Sequence, residues 1–321
     1  MSRLTRRAAC AALLSAVFAP AWAQDPAAIT VHEFEWADTS RQRSVPVRLY
    51  LPAGAAGVGI ERVPLVVFSH GIGGSRAGYS YLGRHFASQG VASLHLQHVG
   101  SDRSLWLGNP LSLVGRLHDA AQDSEAIARV QDLRFALDRL LAHDLGSRID
   151  AARIVAAGHS YGANTTLLAA GARVERQGQV LDFRDPRIKA AIVISAPPFY
   201  GETDPSKILA HVTVPSLHIT ATEDIIRIPG YVSGAEDRVA VFDAVAGTRK
   251  TLAVFAGGSH SVFTDRAATG GATLNPQIKA ATKELSLAFV RSVFDGDEGP
   301  LRAWPQRFGA LVHRFASPAL N

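Results

Sequence analysis

Six stretches of the chain are mainly apolar runs of strand length: VPLVVFSHG (63–71), VASLHLQHV (91–99), ARIVAAGHS (152–160), KAAIVISAPP (189–198), TVPSLHIT (213–220) and KTLAVFAGG (250–258). This pattern constrains the fold more than any other feature. A strand with one face in water alternates apolar and polar residues. A run without that alternation needs cover on both faces, the environment of a parallel sheet between helical layers. SVPVRLYLP (44–52) does alternate and reads as a half-exposed strand. Between the runs, residues 124–143 set Ile127, Val130, Leu133, Leu137 and Leu140 or Leu141 at helical spacing, with charges opposite. Residues 161–172 are rich in small side chains, as a helix packed tightly on a sheet requires, and 276–294 is a third helical segment. Strand and helix in alternation predict an α/β fold: a mostly parallel central sheet flanked by helices on both faces.

No internal repeat, low-complexity tract or interdomain linker divides the chain, so residues 24–321 read as a single domain. Roughly 300 residues bury an ample core. Two connections break the alternation and read as lid-like insertions. Residues 98–122, HVGSDRSLWLGNPLSLVGRLHDAAQ, carry exposed-looking Trp106 and Leu107, and residues 228–247 hold IPGYVSGAEDR. Long connections in compact domains are often lids or binding loops; small helices covering the sheet edge are the alternative.

Residues 1–23 stand apart as a signal peptide. They begin with Arg3, Arg6 and Arg7, continue in an apolar run from Ala8 to about Phe18, and end with small residues at Ala21 and Ala23. That is the pattern of a secretory signal cleaved after Ala23, and its apolar run is shorter than the roughly 20 residues of a membrane span. Thr5-Arg6-Arg7 leaves twin-arginine export open beside the Sec route. Cys10 precedes most of the apolar run, which argues against a lipoprotein anchor. The expectation is export to the periplasm or beyond, without a stable membrane anchor. Cys10 is the only cysteine, so the cleaved chain would hold no disulfide. The formal net charge of +5 loses the three signal arginines and becomes +2. With no basic run or aromatic-basic interleaving, the chain shows no nucleic-acid signature.

The chemistry centres on AAGHSYGANTT (156–166). Gly158-His159-Ser160-Tyr161-Gly162 matches G-x-S-x-G where a strand ends and a helix begins, the setting of a nucleophile elbow. A serine there sits at a helix N-terminus, whose dipole favours an oxyanion nearby. Such a nucleophile needs an acid and then a histidine, in that chain order. Of the twelve histidines, only His260 and His313 lie beyond the late strands. His260, in the small-residue loop FAGGSHSVF, is the expected base, whereas His313 lies in a C-terminal amphipathic segment. Glu223 and Asp224 both follow the preceding strand; Asp224 is favoured because Ile225 and Ile226 would pack it inward. The glycine-rich FSHGIGGS (68–75) supplies an oxyanion hole, with donors expected from the backbone N–H groups of Ile72 and Tyr161. His70 and His159 read as hydrogen-bonding scaffold. No metal-binding spacing such as H-E-x-x-H is present, and no cofactor is expected.

These residues carry a resemblance. VVFSHGIGGSR (66–76), HVGSD (98–102), RVQDLRFALDRL (129–140), AAGHSYGANTT, DPRIKAAIVISAP (185–197) and GGSHSVF occur in an order that resembles the α/β-hydrolases. Specifically, they resemble the group called predicted dienelactone hydrolases, which are similar to platelet-activating-factor acetylhydrolases. The resemblance spans roughly residues 44–294 and implies an α/β-hydrolase fold, with Ser160, Asp224 and His260 matching the triad and Ile72 and Tyr161 the oxyanion donors. True dienelactone hydrolases use a cysteine nucleophile where this chain has Ser160, which makes dienelactone a poor substrate. GGSHS with an acid about 36 residues before it is also similar to bacterial cutinases and polyester hydrolases, but their oxyanion loop lacks the HGIGGS pattern.

The expectation is therefore a secreted serine hydrolase that cleaves small-molecule carboxylic esters through an acyl-enzyme intermediate. Trp106 and Leu107 are the expected substrate contacts. A cutinase-like polyester hydrolase, a serine acyltransferase or a peptidase would use the same parts. A catalytically silent binding protein on this fold would be expected to lack a triad residue, and none is missing.

Overall fold

The computed structural model describes residues 28–53, 62–199, 201, 204–228, 231–266 and 271–320. The expected signal peptide, residues 1–23, lies outside the described residues. The strands in chain order are β1 (Ile29–Asp38), β2 (Arg43–Pro52), β3 (Val63–Ser69), β4 (Ala92–Leu96), β5 (Ile149–His159), β6 (Arg173–Arg176), β7 (Gln179–Asp182), β8 (Ile188–Ile194), β9 (Ser216–Glu223), β10 (Ile226–Ile228), β11 (Tyr231–Ser233), β12 (Lys250–Ser259) and β13 (Val312–Ala316). The helices are α1 (Ser80–Ser88), α2 (Leu113–Ala120), α3 (Asp123–Leu141), α4 (Tyr161–Ala170), α5 (Pro205–Leu209), α6 (Ala235–Ala244), α7 (Leu274–Phe294) and α8 (Gly299–Phe308).

Among the described residues, the main sheet has nine strands in the order β1-β2-β4-β3-β5-β8-β9-β12-β13. The six strands from β4 to β12 run parallel, while β1, β2 and β13 are antiparallel additions at the two edges. Each expected apolar run supplies one parallel strand. Their lack of alternation has the anticipated cause: Leu65 and Val67 of β3 join a core with Leu133 and Leu137 of α3, while Val66 and Phe68 join another with Phe86 of α1 and Ile278 of α7. Successive side chains point to opposite faces, and both faces are covered.

Strand order reverses around β3, which has β4 on one side and β5 on the other. A reversal of this kind opens a crevice at the carboxyl ends of the strands, where ligands bind in open α/β sheets. The structure gives form to three parts of the chain that the sequence reading left loosely defined. The segment around His313, read as amphipathic, holds the edge strand β13, paired with β12. Residues 228–247 are only partly lid-like. Their second half is α6, the crossover between β9 and β12, with Val241 and Phe242 buried. Residues 98–122 fold into short 3-10 turns at Arg103–Trp106 and Pro110–Ser112 followed by α2. No helix among the described residues is long and apolar enough to cross a membrane.

Candidate active site

Ser160 lies between β5 and α4 with φ 56° and ψ −124°, a conformation that side-chain-bearing residues rarely adopt and that stores roughly 1–3 kcal/mol of strain. Its N–H donates to the Ile194 carbonyl at 2.9 Å, which ties the turn to β8. The flanking glycines are required by close approach. A Cβ on Gly158 would run into the Gly162 carbonyl, and one on Gly162 would run into the Ser69 carbonyl at the end of β3. The turn is thus tight enough to lift Ser160 above the sheet while the two backbones touch beneath it.

His260 stands just past β12, and Asp224 just past β9. His260 Nε2 is 2.8 Å from Ser160 Oγ, and its Nδ1 is 2.7 Å from Asp224 Oδ1. A carboxylate only accepts, so Nδ1 carries the proton and donates to Asp224, leaving Nε2 to accept from the serine hydroxyl. Asp224 has no exposed surface and also accepts from Thr220 Oγ1 at 2.7 Å. Burial by itself would raise the Asp224 pKa. The His260 hydrogen bond and charge, followed by Arg238 and Ser195, outweigh it and hold the carboxyl well below the usual carboxylate range. Glu223 is exposed. The reason expected for the inward turn of Asp224 does not hold, because Ile225 is 42% exposed. Asp224 is held by Thr220, His260 and the buried Arg238, whose Nη2 lies 3.7 Å away.

The two expected oxyanion donors flank this site. Tyr161 N–H is the first of α4, where a helix has no internal acceptor to offer. Among the described residues, neither this N–H nor that of Ile72 has a protein acceptor. The peptide group between Gly71 and Ile72 is held from its other end: the Gly71 carbonyl accepts from His70 Nδ1 at 2.7 Å and from Gly74 N–H at 3.0 Å. His70 Nε2 in turn accepts from the His98 N–H at 3.1 Å. His159 ties the other side. The Tyr79 hydroxyl donates to its Nδ1 at 2.8 Å, and its Nε2 donates to the His260 carbonyl at 2.9 Å. Burial, then the neighbouring His260, pushes the His159 pKa down to about 3, so this ring is neutral. Both histidines beside the key residues are therefore backbone ties. Tyr79, Arg129 and Arg238 are partners that the sequence reading missed, because each reaches the site from a different element and no local motif marks it.

The site floors a cavity of about 1040 Å³ whose lining is predominantly apolar. Trp106 lines it, with Nε1 donating to the Gly73 carbonyl at 2.8 Å. Leu107 does not belong to the lining and is 70% exposed. At the end of a 3-10 turn the chain becomes extended at Leu107, so the two neighbours point apart. The expectation for Leu107 is corrected on that ground. Two hairpins also reach the cavity: β6–β7, which the sequence reading did not single out, through Val174 and Leu181, and β10–β11, at the start of the 228–247 insertion, through Ile226 and Tyr231. Among the described residues, no cluster of three or more His, Cys, Asp or Glu side chains could hold a metal ion. A hydroxyl, an imidazole and a buried carboxylate in line can deprotonate the hydroxyl as it attacks a carbonyl carbon.

Comparison with known proteins bears on the fold and on part of the chain. The family described as "Platelet-activating factor acetylhydrolase, isoform II" matches residues 42–108, the part holding β2, β3, the oxyanion loop and β4. No curated protein matches the chain. Among solved structures, a ferulic acid esterase from Streptomyces cinnamoneus is similar in fold, with a TM-score of 0.63 at 22% identity over 89% of this chain and 94% of that one. Sheet order and the structural similarity show an α/β-hydrolase fold, and residues 42–108 resemble the platelet-activating factor acetylhydrolases.

Proposed function

We propose that this protein is an exported serine hydrolase of small-molecule carboxylic esters. The observation that carries the reading is the unbroken line from Ser160 Oγ through His260 to Asp224, with contacts of 2.8 and 2.7 Å, at the floor of an apolar cavity. Ser160 attacks the ester carbonyl while His260 Nε2 takes its proton. The resulting imidazolium is stabilised by Asp224, and the tetrahedral oxyanion is held by the N–H groups of Ile72 and Tyr161. Return of the proton to the departing alcohol leaves an acyl-enzyme, and water repeats the sequence to release the acid. Each oxyanion donor is worth about 3–4 kcal/mol in such a step. The ester chemistry is also supported by the names of the similar family and of the similar structure. Export, by Sec or twin-arginine route, is supported by the sequence of residues 1–23.

Labelling with a fluorophosphonate, beside turnover of nitrophenyl esters of increasing chain length, tests the reading. Covalent label on Ser160 and Ser160-dependent ester cleavage are expected. A wild-type protein that neither labels nor cleaves any ester in the series would refute it.

A further inference from the structure

Arg129 is the largest side chain among those fully buried, and the steps above give it no task. It projects from α3 beneath the junction of the oxyanion loop and α4. Its Nη2 donates to the His70 carbonyl, its Nη1 to the Ser101 hydroxyl at 2.7 Å, and its Nε to the Thr165 hydroxyl at 3.0 Å. The guanidinium carbon also lies 4.6 Å from the centre of the Tyr161 ring. These contacts reach three separate segments. His70 opens the loop that carries Ile72. Thr165 and Tyr161 belong to α4. Ser101 belongs to the segment after β4, and its carbonyl accepts from the Gly73 N–H at 2.8 Å. One planar cation therefore fastens together the loop and the helix that supply the two oxyanion donors.

Ion pairing does not explain its burial. Among the described residues no carboxylate lies within ion-pair distance of Arg129; Glu125 is reached only through the Ser101 hydroxyl, which donates to it at 2.7 Å. Arg43 pairs directly with both Glu125 and Asp132. Removing an unpaired guanidinium from water is unfavourable. Burial pulls the Arg129 pKa down to about 10, which still leaves it cationic at neutral pH. The His70 carbonyl that it holds lies against Gly162, at the start of α4. Without a donor, that oxygen would place unpaired negative charge beside the point where an oxyanion forms.

On the basis of the ester-hydrolase reading, we propose that Arg129 is a positioning residue of the oxyanion hole. Its guanidinium locks the loop to α4 so that the Ile72 and Tyr161 N–H groups converge, and its charge favours an anion at that point. The interaction acts on the transition state and not on the bound ester, so it belongs in kcat rather than KM.

The test compares wild type with Arg129→Met and Arg129→Lys on one nitrophenyl ester, with thermal melts to confirm folding. A trifluoromethyl ketone, which forms a tetrahedral adduct with a serine, reports the oxyanion hole directly. For Arg129→Met, kcat should fall about 100-fold, the scale of losing one oxyanion donor, with KM nearly unchanged and ketone affinity falling in parallel. Arg129→Lys should recover part of the loss, because it keeps the charge but not the planar fork. A folded Arg129→Met with wild-type kcat, a change confined to KM, or undiminished ketone affinity would each overturn the proposal. If Arg129→Met does not fold, Ser101→Ala and Thr165→Val each remove one bond while keeping the charge. Smaller losses in kcat at constant KM support the proposal, and no loss in either overturns it. Ser160→Ala runs in parallel: turnover that survives it defeats the hydrolase reading itself. Turnover that needs Ser160 but not Arg129 defeats only this inference.

Discussion

Gly162→Ala adds a single methyl group at the point where the first turn of α4 meets the end of β3. The added carbon would lie 2.8 Å from the His70 carbonyl oxygen and closer still to that of Ser69. Relaxed contacts need about 3.5 Å, so the shortfall is about 0.7 Å at His70 and greater at Ser69. Neither obstacle is a side chain that can rotate away. Ser69 lies in β3, which is bonded to β4 on one side and β5 on the other. The strain must go into the first turn of α4 and the oxyanion loop. Overpacking costs about 1–3 kcal/mol where side chains can adjust, and a backbone obstacle puts this change at the top of that range. At 2–4 °C per kcal/mol, melting should fall by about 6–12 °C. Displacing Ser160 or an oxyanion donor by about 1 Å lowers turnover roughly 100-fold. Gly115→Ala is the matched control. Its methyl on α2 meets nothing within 4 Å, so a gain of about 0.5–1 kcal/mol from helix propensity is expected, with turnover unchanged. Differential scanning fluorimetry and ester kinetics on both variants decide. A Gly162→Ala protein that melts and turns over like wild type would refute the close approach and the strain argument with it.

The other expectations concern the chemical groups. Ser160→Ala and His260→Ala should each remove most ester turnover, and the double variant should lose little more, because the residues act as a unit; multiplicative losses would contradict the assignment. Asp224→Asn should lower kcat by orders of magnitude, about 10⁴-fold if the histidine tautomer is lost, whereas Glu223→Gln, at an exposed position, should be mild. The reverse ranking would identify Glu223 as the acid. Trp106→Ala should lower kcat/KM for long-chain and aromatic esters more than for acetates, at about 0.8 kcal/mol per methylene no longer packed. Trp106 also bonds to Gly73; an equal loss on every ester together with a lower melting point would mean that it only pins the loop.

Much of the architecture was legible because it rests on local, periodic information. Six apolar runs without alternation demanded cover on both faces, and each became a parallel strand. G-x-S-x-G at a strand-to-helix junction marked Ser160, and chain order then left His260 and His313, of which His260 stood in the small-residue loop after the last apolar run. Glycine at 158 and 162 encoded the close approach directly, since any side chain there would collide with backbone.

What the tertiary structure alone decided was the set of contacts between residues distant in sequence. The residue facing His260 is Asp224 rather than Glu223, but not for the reason read from the sequence. Ile225 does not pull it inward; Thr220, His260 and Arg238 hold it, and Arg238 comes from a helix that read as part of a lid. Trp106 and Leu107 looked alike as neighbouring apolar residues, yet the exit from a 3-10 turn sends one to the cavity and the other to solvent. Arg129 looked like a charge on the solvated face of an amphipathic helix and is instead fully buried against Tyr161 and His70. Strand pattern and turn chemistry depend on a residue's immediate neighbours, so they are written in order along the chain. The partner of a buried polar group depends on which elements the completed sheet brings together, and no spacing in the sequence records that.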